Sequence, residues 1–326
     1  MTIDSPTLSL ALIVFSLTIY IIRNGRELGL GMLYPTIKSK SDLIELLSSP
    51  WWRNETWILI ALAGWALVFP LVYQVVFKCF LAPLFVLIIS QALRYYSVTQ
   101  LKQNDSSPWG WVFFATSLTI TFTHGIMLGV ALDGFESTFS TARQNSIAWL
   151  TPLSGFCAIG LVVAYSLLGI TWLIKNKTTQ VPLYLYERTT YLAMSLLLAI
   201  MIVSLWIPLM ETHISQRWFS WPQVLYLSPI PLLTAWVGFL LWLAILEQRR
   251  KGPYALAVCL FVLSMTGLCI STWPYIIPWE YTIWQATGPE WLQYVGLAFL
   301  ISAVPLSALI ESTPRQWFHI RKEKSS

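Results

Sequence analysis

Charged residues are spaced along the chain so as to leave nine uncharged runs, at 5–22, 56–77, 79–93, 106–132, 144–174, 189–210, 218–246, 252–279 and 291–310. Each approaches or exceeds the roughly 20 apolar residues a helix needs to cross a hydrocarbon core. The shortest, 79–93, is bounded by Lys78 and Arg94, whose long stems can carry their charges toward the interfaces. The pattern predicts an all-α polytopic membrane protein with nine transmembrane helices in a bundle, a single membrane domain over 1–326. Within it, 23–55 is the longest extramembrane loop and 313–326 a basic tail. Inside that loop SDLIELLS (41–48) reads as a short amphipathic helix with Ser41 as its N-cap. Pro70, Pro208 and Pro305 predict kinks within spans. The first run lacks a preceding basic segment and a small-residue cleavage site, so it reads as a span and not a cleaved signal.

Composition agrees. The chain is 56% hydrophobic and 11% charged with a mean hydropathy of +0.64, where soluble domains carry about 25% charged residues. With nine spans, seventeen Lys and Arg fall on one side of the membrane, and only Lys78, Arg143 and Arg217 on the other. Basic loops stay cytoplasmic, which predicts an outside N-terminus and a cytoplasmic C-terminus. The net charge of +5 is this bias and points to no nucleic acid. Many of the 18 tryptophans stand near span ends, where an amphipathic ring suits the headgroup region.

Chemistry-bearing residues are few. His124 lies within the fourth run, His213 in an outer loop and His319 in the tail; no two form a ligand pair, and His124 reads as a helix-packing residue. Cys79, Cys157, Cys259 and Cys269 show no metal or redox spacing and read as small membrane-helix residues. No nucleophile elbow, zinc motif or phosphate loop is present. Gly125 and Gly129 make a GxxxG that permits close helix contact. The remaining polar groups cluster on one side: Asn24, Arg26 and Glu27 after the first run, Asn54 and Glu55 before the second. By position these read as a solvated loop with an acid favoured at a helix start; the functional alternative is the mouth of a proton path.

Three stretches together resemble subunit II of cytochrome bd-type quinol oxidases. One is the Gly-x-acid-x-Gly-x-Gly-Met-Leu segment, here Gly25, Glu27, Gly29, Gly31, Met32 and Leu33. Another is Trp51, Asn54 and Trp57, followed by ALAGWALVFPLVY. The third begins with LTPLSGF and GITWLIKNKT and continues with WPYIIP and TIWQATG. Arg94, Gly125, Gly129 and Gly134 also fall in register, and the likeness runs from about Gly25 to the tail.

The resemblance implies a non-haem-ligating subunit in a bacterial cytoplasmic (inner) membrane, packed against a haem-bearing subunit I. That partner would carry haem b and haem d and draw on the quinone pool, while this chain alone binds no haem or metal. Subunit II would scaffold it, contribute to a cytoplasmic proton route and have room for a bound quinone. Glu27, Glu55, Asn54 and Asn24 are then proton-path candidates, and Trp57, Arg94, Gly125, Gly129 and Trp284 structural or interface candidates. The chain departs from the family pattern at Asn24, where Asp is common, at Trp52, acidic in some members, at Gln285, for the Asp of a Trp-Asp-Ala segment, and at Tyr95, for Pro. Two alternatives stay open: a solute or ion transporter, and a scaffold subunit of another membrane haem protein.

Overall fold

A computed structural model describes residues 4–47, 52–103, 108–134, 149–177, 179–210, 212–278 and 280–312. Apolar runs in lipid must satisfy their backbone hydrogen bonds internally, and helices do so. The chain accordingly forms α1 (Ser5–Leu33), a 3₁₀ turn (Tyr34–Thr36), α2 (Lys40–Glu45), α3 (Trp52–Val68), α4 (Pro70–Gln103), α5 (Trp109–Asp133) and α6 (Pro152–Asn176). There follow α7 (Leu183–Met210), the surface helix α8 (Thr212–Phe219), α9 (Gln223–Leu227), α10 (Pro229–Leu246) and α11 (Gly252–Thr272). A two-stranded hairpin, β1 (Tyr275–Ile277) and β2 (Tyr281–Thr282), precedes α12 (Glu290–Ser312). Among the described residues eight helical segments are long and apolar enough to cross a membrane, and Asn54–Val68 is a shorter apolar helix.

Several boundaries differ from those the uncharged runs suggest. The first helix does not stop at residue 22: α1 runs through RNGRELGLGML to Leu33, so 23–33 is not loop. Its three glycines are helix-weakening in isolation, and tertiary packing overrides that preference. The break between the second and third runs falls at Phe69, not at Lys78. Pro70 has no N–H to continue α3, and suits the first turn of α4. Lys78 is exposed on α4, which continues past Arg94 to Gln103 and bends at Phe80 (φ −104°, ψ 18°), three residues before Pro83. A proline ring clashes with the carbonyl four residues earlier, here Cys79, which accounts for the bend. Pro208 and Pro305 stay inside continuous helices.

The N-cap position of α2 is Ser39 rather than Ser41, because the helix begins at Lys40, and the Ser39 side chain makes no capping hydrogen bond there. The seventh run begins in α8 and its span starts at Gln223; the eighth ends at Thr272, where WPYIIP turns into the hairpin. Pro274 cannot donate to a continuing helix.

The described chain divides into two compact units. The first comprises residues up to Tyr20, 49–73 and 283 onward, so it joins the N-terminal part of α1 to α3 and α12. Gly64 and Gly296 let these helices approach. A Cβ on Gly64 would stand 2.8 Å from Ile13 and 2.9 Å from Leu300, and one on Gly296 2.5 Å from Val68. Asp4 opens α1 by accepting from the Thr7 N–H at 3.1 Å, and it also accepts from Trp284 Nε1. These hydrogen bonds, that of Thr7 foremost, hold the Asp4 carboxyl below its ordinary range.

The second unit comprises 21–48 and 74–282. Its core is the α5–α6 seam. A Cβ on Gly125 would lie 2.3 Å from the Ala158 Cα, and one on Gly129 2.3 Å from the Ser154 Cα. LTPLSGF supplies the other wall of that seam. Thr151 is the N-cap of α6, Pro152 its first residue, and Ser154 closes a capping box: Ser154 N donates to Thr151 Oγ1 at 3.1 Å and Thr151 N to Ser154 Oγ at 2.8 Å. Beyond the far end of α6, Lys177 Nζ pairs with Asp42 of α2, whose carboxyl is held below its ordinary range chiefly by that bond.

Candidate functional site

Successive residues of a helix turn by 100°, so the segment after Ile21 has two faces of opposite kind. Gly25 and Gly29 lie one turn apart on one face; Asn24, Glu27 and Gly31 follow the i, i+3, i+7 spacing of the other. The glycine face meets α6. A Cβ on Gly25 would be 2.6 Å from the Tyr165 ring, one on Gly29 1.8 Å from the Tyr165 carbonyl oxygen, and one on Gly169 2.5 Å from the Gly29 carbonyl carbon. On the other face Gly31 abuts α5, where its Cβ would be 2.1 Å from Ser117 Oγ. The Gly-x-acid-x-Gly-x-Gly spacing thus lets α1 enter between α5 and α6 with hardly any side-chain spacer, while Glu27 points elsewhere.

Glu27 meets α4. Its Oε2 accepts from Arg94 NH2 at 3.3 Å, and the two side chains are 8% and 1% exposed. On the part of α4 beyond Pro83 the buried residues are Ser90, Arg94, Ser97 and Leu101, a single stripe on a helix whose other faces expose Phe85, Ile88, Ile89 and Leu93. Arg94 also lies 5.7 Å from the Phe113 ring centroid of α5 and 5.8 Å from that of Tyr95, and Ser97 Oγ donates to the Arg94 carbonyl at 2.7 Å. Asn24, one turn before Glu27, is 1% exposed.

Burying a carboxylate or a guanidinium singly would cost several kcal/mol, so each requires the other here. The guanidinium, which stays charged, holds the carboxylate in place.

Over residues 5–311 the sequence matches the family of cytochrome bd terminal oxidase subunit II. The chain belongs to that family. The fold agrees: a chain of bd oxidase from Geobacillus thermodenitrificans superposes with a TM-score of 0.72 at 15% identity, covering 94% of this chain and 97% of that one. Comparison with curated proteins gives no match by sequence.

For a cytochrome bd subunit II, the positions of the remaining candidates matter as much as the pair. Asn54, Glu55, Trp57 and Trp284 belong to the first unit, and Asn24, Glu27, Arg94, Gly125 and Gly129 to the second. Glu55 stands half-buried in the first turn of α3. Asn54 is 4% and Trp57 1% exposed, and Trp57 meets Phe15 edge-on at 6.3 Å. Trp284 is half-exposed and donates to Asp4, with Gln285 exposed beside it. Gly125 and Gly129 are packing residues of the α5–α6 seam within the chain.

His124 is half-buried on α5, His213 lies in α8, His319 falls outside the described residues, and no group of three His, Cys, Asp or Glu converges among those described.

Sequence reasoning named Glu27 and Arg94 separately and missed their partnership, along with the parts played by Tyr165, Ser97 and Ser117. The period of Ser90, Arg94, Ser97 and Leu101 was the available signal for which way Arg94 faces.

Proposed function

We propose that this chain serves as the non-haem-ligating subunit of a bd-type quinol:oxygen oxidoreductase in the bacterial cytoplasmic (inner) membrane. It scaffolds a haem-bearing subunit I, which carries haem b and haem d and draws electrons from the quinone pool, and it supplies part of that partner's proton route. The buried Glu27–Arg94 pair, with Asn24 one turn away, carries this reading. Glu55 and Asn54, at the head of α3 in the first unit, are separate proton-path candidates.

Quinol-driven oxygen consumption by the assembled complex tests it. Glu27→Gln and Glu55→Gln should keep assembly and haem content while lowering turnover by on the order of tenfold to a hundredfold, because an amide cannot exchange a proton. A control change, Glu45→Gln on the exposed side of α2, should leave turnover unchanged. If Glu55 is only an end-cap, its replacement costs at most about 1 kcal/mol through the helix dipole and spares turnover. Wild-type turnover in both mutants would mean that the acids cap and anchor, and that the proton route lies wholly in the partner.

The same proposal includes an outside N-terminus and a cytoplasmic C-terminus. Its support is the seventeen-to-three split of basic residues, still sixteen to three without Arg94, which is buried in an ion pair. Reporter fusions should report 133–143 and 211–217 as external. A cytoplasmic signal from 211–217 would sink this topology.

A further inference from the structure

Trp172, in the last turns of α6, carries a cation from each of two elements. The Arg26 guanidinium carbon of α1 lies 4.5 Å from its ring centroid, and Lys175 Nζ lies 5.2 Å from it. Lys175 Nζ also stands 4.8 Å from the ring of Tyr254, in the first turn of α11, and the two rings are 4.9 Å apart at 56°. Sharing one ring, the two cationic heads lie within about 10 Å of each other, a range over which like charges repel. Exposed Lys251, just before α11, adds a third positive charge three residues from Tyr254.

Acidic neutralisation is given to other cations nearby in sequence and not to these. Lys177 pairs with Asp42, Arg249 with Glu247, and Glu27 with Arg94. Among the described residues no carboxylate lies within ion-pair distance of Arg26 or Lys175, and the shielded Arg26 Nε meets no acceptor. Aromatic faces attract cations through a quadrupole that carries no net charge, so the excess positive charge remains. An anion whose oxygens accept from both heads would remove it, and a phosphate does so well. The depth narrows the source. Trp172 and Lys175 stand at the end of one span and Tyr254 at the start of another, which is the headgroup level of a bilayer.

We propose that Arg26 and Lys175, on the Trp172–Tyr254 platform, bind the phosphate of an anionic phospholipid headgroup. Acyl chains would then run along the adjoining helices, and the site would select anionic over zwitterionic lipid as basic pockets between membrane helices do.

The test uses the full chain, in the complex in which it purifies, reconstituted in phosphatidylcholine nanodiscs with a trace of spin-labelled phosphatidylglycerol. A fluorophore on a cysteine introduced at exposed Gln180 reports quenching by bound label. Removing each basic residue near an anionic headgroup weakens binding roughly fivefold, so Arg26→Gln with Lys175→Gln should lower label affinity by about 25-fold. The charge-conserving pair Arg26→Lys with Lys175→Arg should retain it, which separates lost charge from lost fold. Arg249→Gln, at an exposed residue already paired with Glu247, should retain it as well. Equal quenching in the wild type and the double glutamine variant would overturn the proposal. So would an equal loss in Arg249→Gln, which would reduce the effect to general surface charge. Displacement of the label by inorganic phosphate would assign the site to a soluble anion and overturn the lipid.

Discussion

Arg94→Leu is expected to lower the stability of the solubilised chain by about 3–5 kcal/mol, the typical effect of deleting one partner of a buried ion pair. The reason lies less in the lost bond than in what is left behind. Glu27 is 6% exposed and would keep its carboxylate in the interior after losing the Arg94 guanidinium. The double variant Glu27→Leu with Arg94→Leu removes both charges and should recover most of the loss, since hydrophobic replacement of a buried pair is often neutral or stabilising. Arg94→Lys should fall between, because an ammonium reaches less far and lacks the planar fork. Thermal unfolding followed by fluorescence-detected size exclusion ranks the four proteins. A single variant as stable as wild type, or a double variant worse than either single, would refute the pairing as a stability determinant. The same double variant should remain poor in oxygen consumption, so stability and proton passage separate in one protein.

Gly29→Ala should be the most damaging glycine-to-alanine change within the described helices. Its Cβ would stand 1.8 Å from the Tyr165 carbonyl oxygen and 2.9 Å from the Gly169 backbone nitrogen, so the obstacle is backbone and no side chain can swing away. Nor can α1 retreat freely, since Gly31 abuts Ser117 on the α5 side. Overpacking of this kind costs roughly 1–3 kcal/mol where the structure relaxes, and more where it cannot. Gly155→Ala is the matched control on α6, since a Cβ there meets nothing within 4 Å. That change should be neutral, or stabilising by up to about 1 kcal/mol through helix propensity. Comparable yields of folded chain from Gly29→Ala and Gly155→Ala would show that α1 and α6 are not in backbone contact.

Uncharged runs of membrane-spanning length and the one-sided distribution of Lys and Arg were legible from residue identities, because hydropathy acts position by position. The membrane class, the all-α architecture and the family resemblance all follow from such additive signals.

What depended on neighbours distant in sequence was not legible. RNGRELGLGML reads as a loop because glycine and charge both weaken a helix on their own. It is helical because Tyr165, Gly169 and Ser117 lie against it and Arg94, 67 positions away, neutralises its acid. WPYIIP reads as the end of a span by hydropathy, yet forms a hairpin where Pro274 halts the helix. Glu27 and Glu55 look alike as acids beside apolar runs. Tertiary structure separates them: one is a buried partner of a guanidinium, the other a half-buried acid in the first turn of a helix. A residue's own chemistry determines whether it prefers lipid or water, whereas a buried charge is decided by which opposite charge the fold brings to it.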